Sequence, residues 1–161
     1  MNPKIVRPAG PIDPDISMLY AESLEDSKPL ALLINFALHP AIIGGDHFSA
    51  DFPGVVCEAI AQVKGEEMIT VYSNGTSGNI NHIDVTRQHQ LEGFEESKRI
   101  GTILAGKVLS ALPTLRAIAV DRIAAGRQIV EIPVPSISED EVTWAQGIFA
   151  QLEKQDLPPF R

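Results

Sequence analysis

The sequence predicts an α/β fold: a mixed sheet containing a βαβ unit, with strands at about 30–38 and 68–73, and flanking helices. Three observations predict it. Pro29–Leu38 reads PLALLINFAL, a short continuous apolar run bounded by turn signals, as in a buried strand. Phe52–Lys64 repeats apolar residues at helical spacing. Met68–Ser73, MITVYS, is a second β-rich run, so the helix joins two strands expected to lie parallel through a right-handed crossover.

The first sixteen residues carry Pro3, Pro8, Pro11 and Pro14, and read as an extended arm because proline lacks an amide donor and restricts its predecessor. Met18–Glu22 follows as a short strand, and Asp26–Lys28 as a turn. In the 52–64 helix, Pro53 suits the first turn, Val55, Val56, Ala59, Ile60 and Val63 share one face, and Gly65 is the stop. Asn74-Gly75 ends the second buried strand. A long helix is expected over Leu91–Leu112, with Ile100, Leu104 and Val108 recurring every fourth residue and Pro113 ending it. His89 is read as a solvent-facing residue near the start of this helix. Ala117–Val120 and Gln128–Val134 read as strands on either side of Gly126. The last helix has the clearest start: Ser138 and Glu141 form a capping box, with Ile137 and Val142 as its hydrophobic staple. Val142, Ala145, Phe149 and Leu152 are its expected buried stripe, and Trp144 is read as core with Phe149.

The chain has 161 residues, 44% of them hydrophobic, which excludes a mostly disordered protein and fits a single domain over 1–161. Cys57 is the sole cysteine, so a disulfide scaffold is excluded. A formal charge of −8 repels phosphate backbones, and no nucleic-acid partner is expected. No apolar run approaches the ~18 residues of a transmembrane segment. The opening MNPKIVRPAGPIDPD lacks the apolar centre of a signal peptide.

Parallel strands send their C-terminal ends to one edge, where ligand sites concentrate. Two polar loops leave that edge. One runs from His39 to Asp51, the other from Asn74 to Asp84. They hold His39, His47, His82, Asp46, Asp51, Asp84, Ser49 and Ser77. Imidazole with carboxylate is the donor set of a catalytic zinc site, although no closed local motif such as H-E-x-x-H is present. The same residues also suit simple capping of loop backbone. Ser77 lies in G-T-S-G-N. This is no nucleophile elbow, because Asn79 replaces the last glycine. Either Ser77 is an exposed nucleophile beside backbone amides or the segment is a tight turn. The acidic run Glu139–Glu141 complements a helix N-terminus and needs no functional reading.

Three stretches, PAGPIDPDISML, LLINFALHPAIIGGDHFSADFPG and YSNGTSGNINHIDV, resemble the neutral/alkaline, non-lysosomal ceramidase family, in that family's order and over the first half of the chain. The resemblance implies a zinc-dependent amidase that cleaves the N-acyl bond of N-acylsphingosine, a role in sphingolipid metabolism, a lipid or other amide substrate, and a secreted or periplasmic location. It matches His39 to a zinc-ligand histidine and Ser77 to the serine of a G-D-x-S-P-N segment. The match is incomplete. Gly78 stands for the proline, and Gly75-Thr76 replace the aspartate and its neighbour. The upstream S-H-T-H-S-G type motif is absent, and the downstream Glu and Tyr ligands are not assigned. Asp46, His47, Asp51, Asn79, His82 and Asp84 are therefore additional site-lining candidates from the loops, outside the family motif.

The expectation is a fragment of a larger ceramidase-like catalytic domain, with an incomplete zinc site, inactive in isolation and self-associating through surface that the remainder would cover. The alternatives are a non-catalytic structural or interaction module of the same fold, and a metallohydrolase acting on another ester or a phosphate.

Overall fold

The computed structural model describes residues 10–84 and 91–152. The chain divides into two compact units, Met1–Ala117 and Ile118–Arg161. The first contains a mixed three-stranded sheet and two helices, and the second a further helix, making a small α/β fold.

Strand β1 (Ile16–Glu22) pairs antiparallel with β2 (Pro29–Phe36), and β2 pairs parallel with β3 (Ile69–Asn74), in the order β1-β2-β3. The β1–β2 connection is a turn tied by local polar groups. Ser23 N–H donates to the Lys28 carbonyl at 2.9 Å, the Ser23 hydroxyl accepts the Glu25 and Asp26 amides, and Lys28 pairs with Asp26 at 2.8 Å. That ion pair and the Ser23 contact hold the Asp26 carboxyl below the usual carboxylate range.

Helix α1 (Asp51–Lys64) joins β2 to β3. It packs on β3 and on α2 (Gly93–Ala111), which ends in a 3-10 turn at Leu112–Thr114 carrying Pro113. Gly65 ends α1 with φ of +99°, a backbone that favours glycine, and its amide donates back to Ala61. The core lies between the sheet and the helices: Leu32 and Ile34 from β2, Phe52, Val56 and Ile60 from α1, Met68, and Leu104, Val108 and Leu112 from the α2 region. Phe52 meets the Tyr72 ring edge-on at 5.6 Å.

Several sequence expectations are corrected. The two apolar strands are covered on one face only. Leu19, Leu33 and Val71 stand in register across the sheet and remain 57%, 40% and 47% exposed. The burial alternates because the helices of this unit stack on a single side, whereas a continuous apolar run anticipates cover on both. Val63 is exposed, lying at the outer margin of the α1 apolar arc. Residues 117–120 and 128–134 form no strand, and their apolar side chains are exposed. Alternation alone does not make a strand where no neighbouring ladder satisfies the backbone.

In the second unit, α3 (Glu139–Leu152) begins at the expected capping box. The Ser138 amide donates to Glu141 Oε2 at 2.8 Å, and the Glu141 amide donates to Ser138 Oγ at 3.2 Å. Its stripe is not buried. Val142, Phe149 and Leu152 are exposed and Ala145 is half-buried. Trp144 and Phe149, read as core, are 71% and 68% exposed. The predicted staple residues Ile137 and Val142 are both exposed as well. Helical periodicity defines an apolar face and leaves open what covers it.

Candidate functional site

The parallel pairing of β2 and β3 ends at Phe36 opposite Asn74, so both polar loops leave the same edge. The exits are held together. Gly75 N–H donates to the Phe36 carbonyl at 2.9 Å, and a Cβ on Gly75 would lie 3.1 Å from Ala37 backbone and side-chain atoms. Only a residue without a side chain fits that approach comfortably. His39 and Ser77 each follow two residues after this Ala37–Gly75 contact.

His39 is exposed, and its carbonyl accepts the Ala41 amide at 2.9 Å. Ser77 is half-buried. Its Oγ accepts the Asn74 side-chain amide at 2.9 Å, and its carbonyl accepts the Ile80 amide. The segment is thus a tight turn in form, and its hydroxyl is oriented by Asn74. Asn79 donates to the Pro11 carbonyl at 3.0 Å, fastening that residue to this edge; residues 1–9 of the expected arm lie outside the described residues.

The remaining candidates separate into different surroundings. Asp46 and His47 are exposed, and the His47 ring meets Phe94 edge-on at 5.8 Å. Asp51 is buried and organises backbone. Its Oδ2 accepts the Ile42 and Ile43 amides at 2.8 and 3.1 Å, its Oδ1 accepts the Phe52 amide, and its own amide donates to Ser49 Oγ at 2.9 Å. This makes Asp51 and Ser49 loop-capping groups. His82 is half-buried, and its Nδ1 is buried with no hydrogen-bond partner among the described residues. It lines a cavity of about 550 Å³ together with Ile42, Leu91 and Glu92. Asp84 is half-buried. His89 lies outside the described residues.

A catalytic zinc ion takes three protein ligands and keeps one position open. Among the described residues, no group of three or more His, Cys, Asp or Glu side chains is placed to hold a metal ion. The donors assembled here therefore do not make up a complete zinc site, and no chemical step is routed through one. No described helix is long and apolar enough to cross a membrane.

Burial raises the thiol pKa of Cys57, opposed by a hydrogen bond involving the Tyr72 backbone. Burial, with the neighbouring Cys57, pushes the Tyr72 hydroxyl up to about 12. Sequence reasoning missed Glu92 and Ser97. Glu92 immediately precedes Gly93, whose φ is +61°, and that glycine was the available signal for a bend at the cavity wall. No family model, curated protein or solved structure matches this chain.

Proposed function

We propose that this chain is part of an amide hydrolase of the neutral-ceramidase type, with Ser77 as nucleophile and His39 as one ligand of a zinc centre whose other ligands lie outside the chain. The observation that supports this reading is the shared exit of β2 and β3. The Phe36–Gly75 hydrogen bond brings the His39 loop and the Ser77 turn to one sheet edge, where catalytic groups of α/β proteins gather. The Asn74 side-chain amide donates to Ser77 Oγ and so positions the oxygen, while the proton acceptor that activates a nucleophile would come with the zinc centre. The chain by itself is inactive, because the donors it assembles fall short of a catalytic set.

Calorimetric zinc titration of the chain and of His39→Ala tests the ligand assignment. Weak uptake that the variant loses is the expected result, and uptake identical in both overturns it. The chain alone is expected to leave N-acylsphingosine uncleaved, so the nucleophile is tested in the longer hydrolase of which we propose it is part, where hydrolysis unchanged by Ser77→Ala overturns the assignment.

A further inference from the structure

A second cavity, of about 470 Å³, lies between α1 and α2, apart from the Ser77 turn. Its volume falls within the ~300–1,000 Å³ of small-ligand sites. Ser97 lines it. This side chain is 1% exposed, and its Oγ has no hydrogen-bond partner among the described residues. A buried hydroxyl left unpaired is unfavourable, so a group that occupies the cavity and satisfies it gains that interaction. Two opposite charges reach the same cavity from opposite helices: Lys98 from α2 and Glu58 from α1. Neither has an ion-pair partner among the described residues. The rest of the wall is apolar at Ile43, Val55 and Phe94, and polar at Asp51, whose carboxylate is taken up by backbone amides, and at Gln62, whose side-chain amide donates to Glu58 at 3.5 Å.

We infer that this cavity binds a zwitterionic α-amino acid with an apolar side chain. Its carboxylate bonds the Ser97 hydroxyl and the Lys98 ammonium. Its ammonium faces Glu58, and its side chain packs on Ile43, Val55 and Phe94. A ligand with one charge of each sign and an apolar arm matches Lys98, Glu58 and the apolar wall together, whereas a fatty carboxylate brings no cation to Glu58, which has only the Gln62 amide, and an amine brings no acceptor to Ser97 and Lys98.

Calorimetric titration with L-leucine, isocaproate (no amine) and isopentylamine (no carboxylate) tests this. Leucine is expected to bind at least about tenfold more tightly than either analogue, since each lacks one charged hydrogen-bonding group. Ser97→Ala is expected to weaken leucine binding about tenfold without lowering the thermal midpoint, because it removes an unpaired buried hydroxyl. Lys98→Met, at an exposed position, is expected to weaken binding similarly in a fully folded chain. Failure of leucine to bind the folded protein overturns the inference. So does equal binding of isocaproate, or a Ser97→Ala variant that loses stability and keeps its affinity.

Discussion

Asp51 Oδ2 accepts the Ile42 amide at 2.8 Å, closing the loop that leaves β2 onto the first residue of α1. The same oxygen takes the Ile43 amide, and the other oxygen takes the amide of Phe52. One carboxylate thus satisfies three backbone donors, two of them on the buried residues Ile42 and Phe52. Asp51 itself has φ of +52°, a left-handed conformation that costs a non-glycine residue on the order of 1 kcal/mol. The clamp offsets that strain. Asp51→Ala keeps the strain and orphans the amides, so it is expected to destabilise the fold by about 2–4 kcal/mol in urea unfolding. Asp51→Asn keeps an acceptor and tolerates the left-handed region, and is expected to lose less than half as much.

The helix pair depends on a second close approach. A Cβ on Gly101 would lie 2.6 Å from Val55 Cβ and 2.9 Å from the Phe52 carbonyl oxygen, so α1 and α2 touch where α2 has no side chain. Gly101→Ala raises helix propensity and still overpacks this contact. The expected net loss is about 1–3 kcal/mol, seen as a lower urea midpoint with an unchanged slope. Adding Val55→Ala removes the Cγ1 overlap at 2.8 Å and leaves both the Val55 Cβ position and the carbonyl. The double variant is therefore expected to recover part of the loss, and full additivity in the cycle would contradict the contact.

What the sequence made readable follows from what each signal encodes. Apolar periodicity located α1 and α2, because spacing reports which residues share a face, while β2 and β3 were located by short apolar or β-rich runs between turn signals. It did not report what lies opposite. Leu33 and Val71 look like core in sequence and stand on the uncovered side of the sheet, and Phe149 belongs to a stripe left exposed. The 117–120 and 128–134 segments carry strand-like residues without a ladder to join. At the candidate site, the parallel β2–β3 pair was legible from its short connecting helix, and with it the shared edge of His39 and Ser77. Capping of loop backbone was one of the readings open for Asp51, but the amides it caps were not legible. Its three amide partners come from a loop fold that a linear Ser49-x-Asp51 spacing does not specify. Ser97 was missed for a related reason: one small polar residue on the apolar stripe with Leu104 and Val108 does not alter the periodicity.

The α3 capping box titrates in acid. Hydrogen bonds from the Ser138 amide and hydroxyl favour the charged form of Glu141 and lower its carboxyl pKa from the ordinary 4.5. The box is therefore fully formed above pH ~4.5, and is lost as the pH falls through the lower folded-state value. Carbon-13 titration of the Glu141 carboxyl is expected to show a midpoint below the ordinary 4.5. Ser138→Ala is expected to return it part of the way toward 4.5 and to speed amide exchange in the first turn of α3. A Glu141 midpoint unchanged in the variant would contradict the box.

Tyr72 sets the alkaline limit of the first unit. Its hydroxyl donates to the Phe36 carbonyl at 3.1 Å, the same carbonyl that accepts Gly75 N–H at the sheet edge. Burial favours the neutral phenol and pushes its folded pKa to about 12, against 10.0 for an ordinary tyrosine. Because the folded value is the higher one, the contribution of this group is complete below pH ~10 and declines as the pH rises from 10 toward 12. Tyr20, also raised through burial and Glu22, adds in the same direction. Absorbance at the tyrosinate band should therefore rise late and together with loss of the tertiary signal. Tyr72→Phe is expected to remove most of that coupling at a cost of about 1 kcal/mol at neutral pH, since Phe36 keeps its Gly75 partner. An early, independent titration of Tyr72 near 10 in the folded chain would show that the hydroxyl is free of the edge that joins the His39 loop to the Ser77 turn.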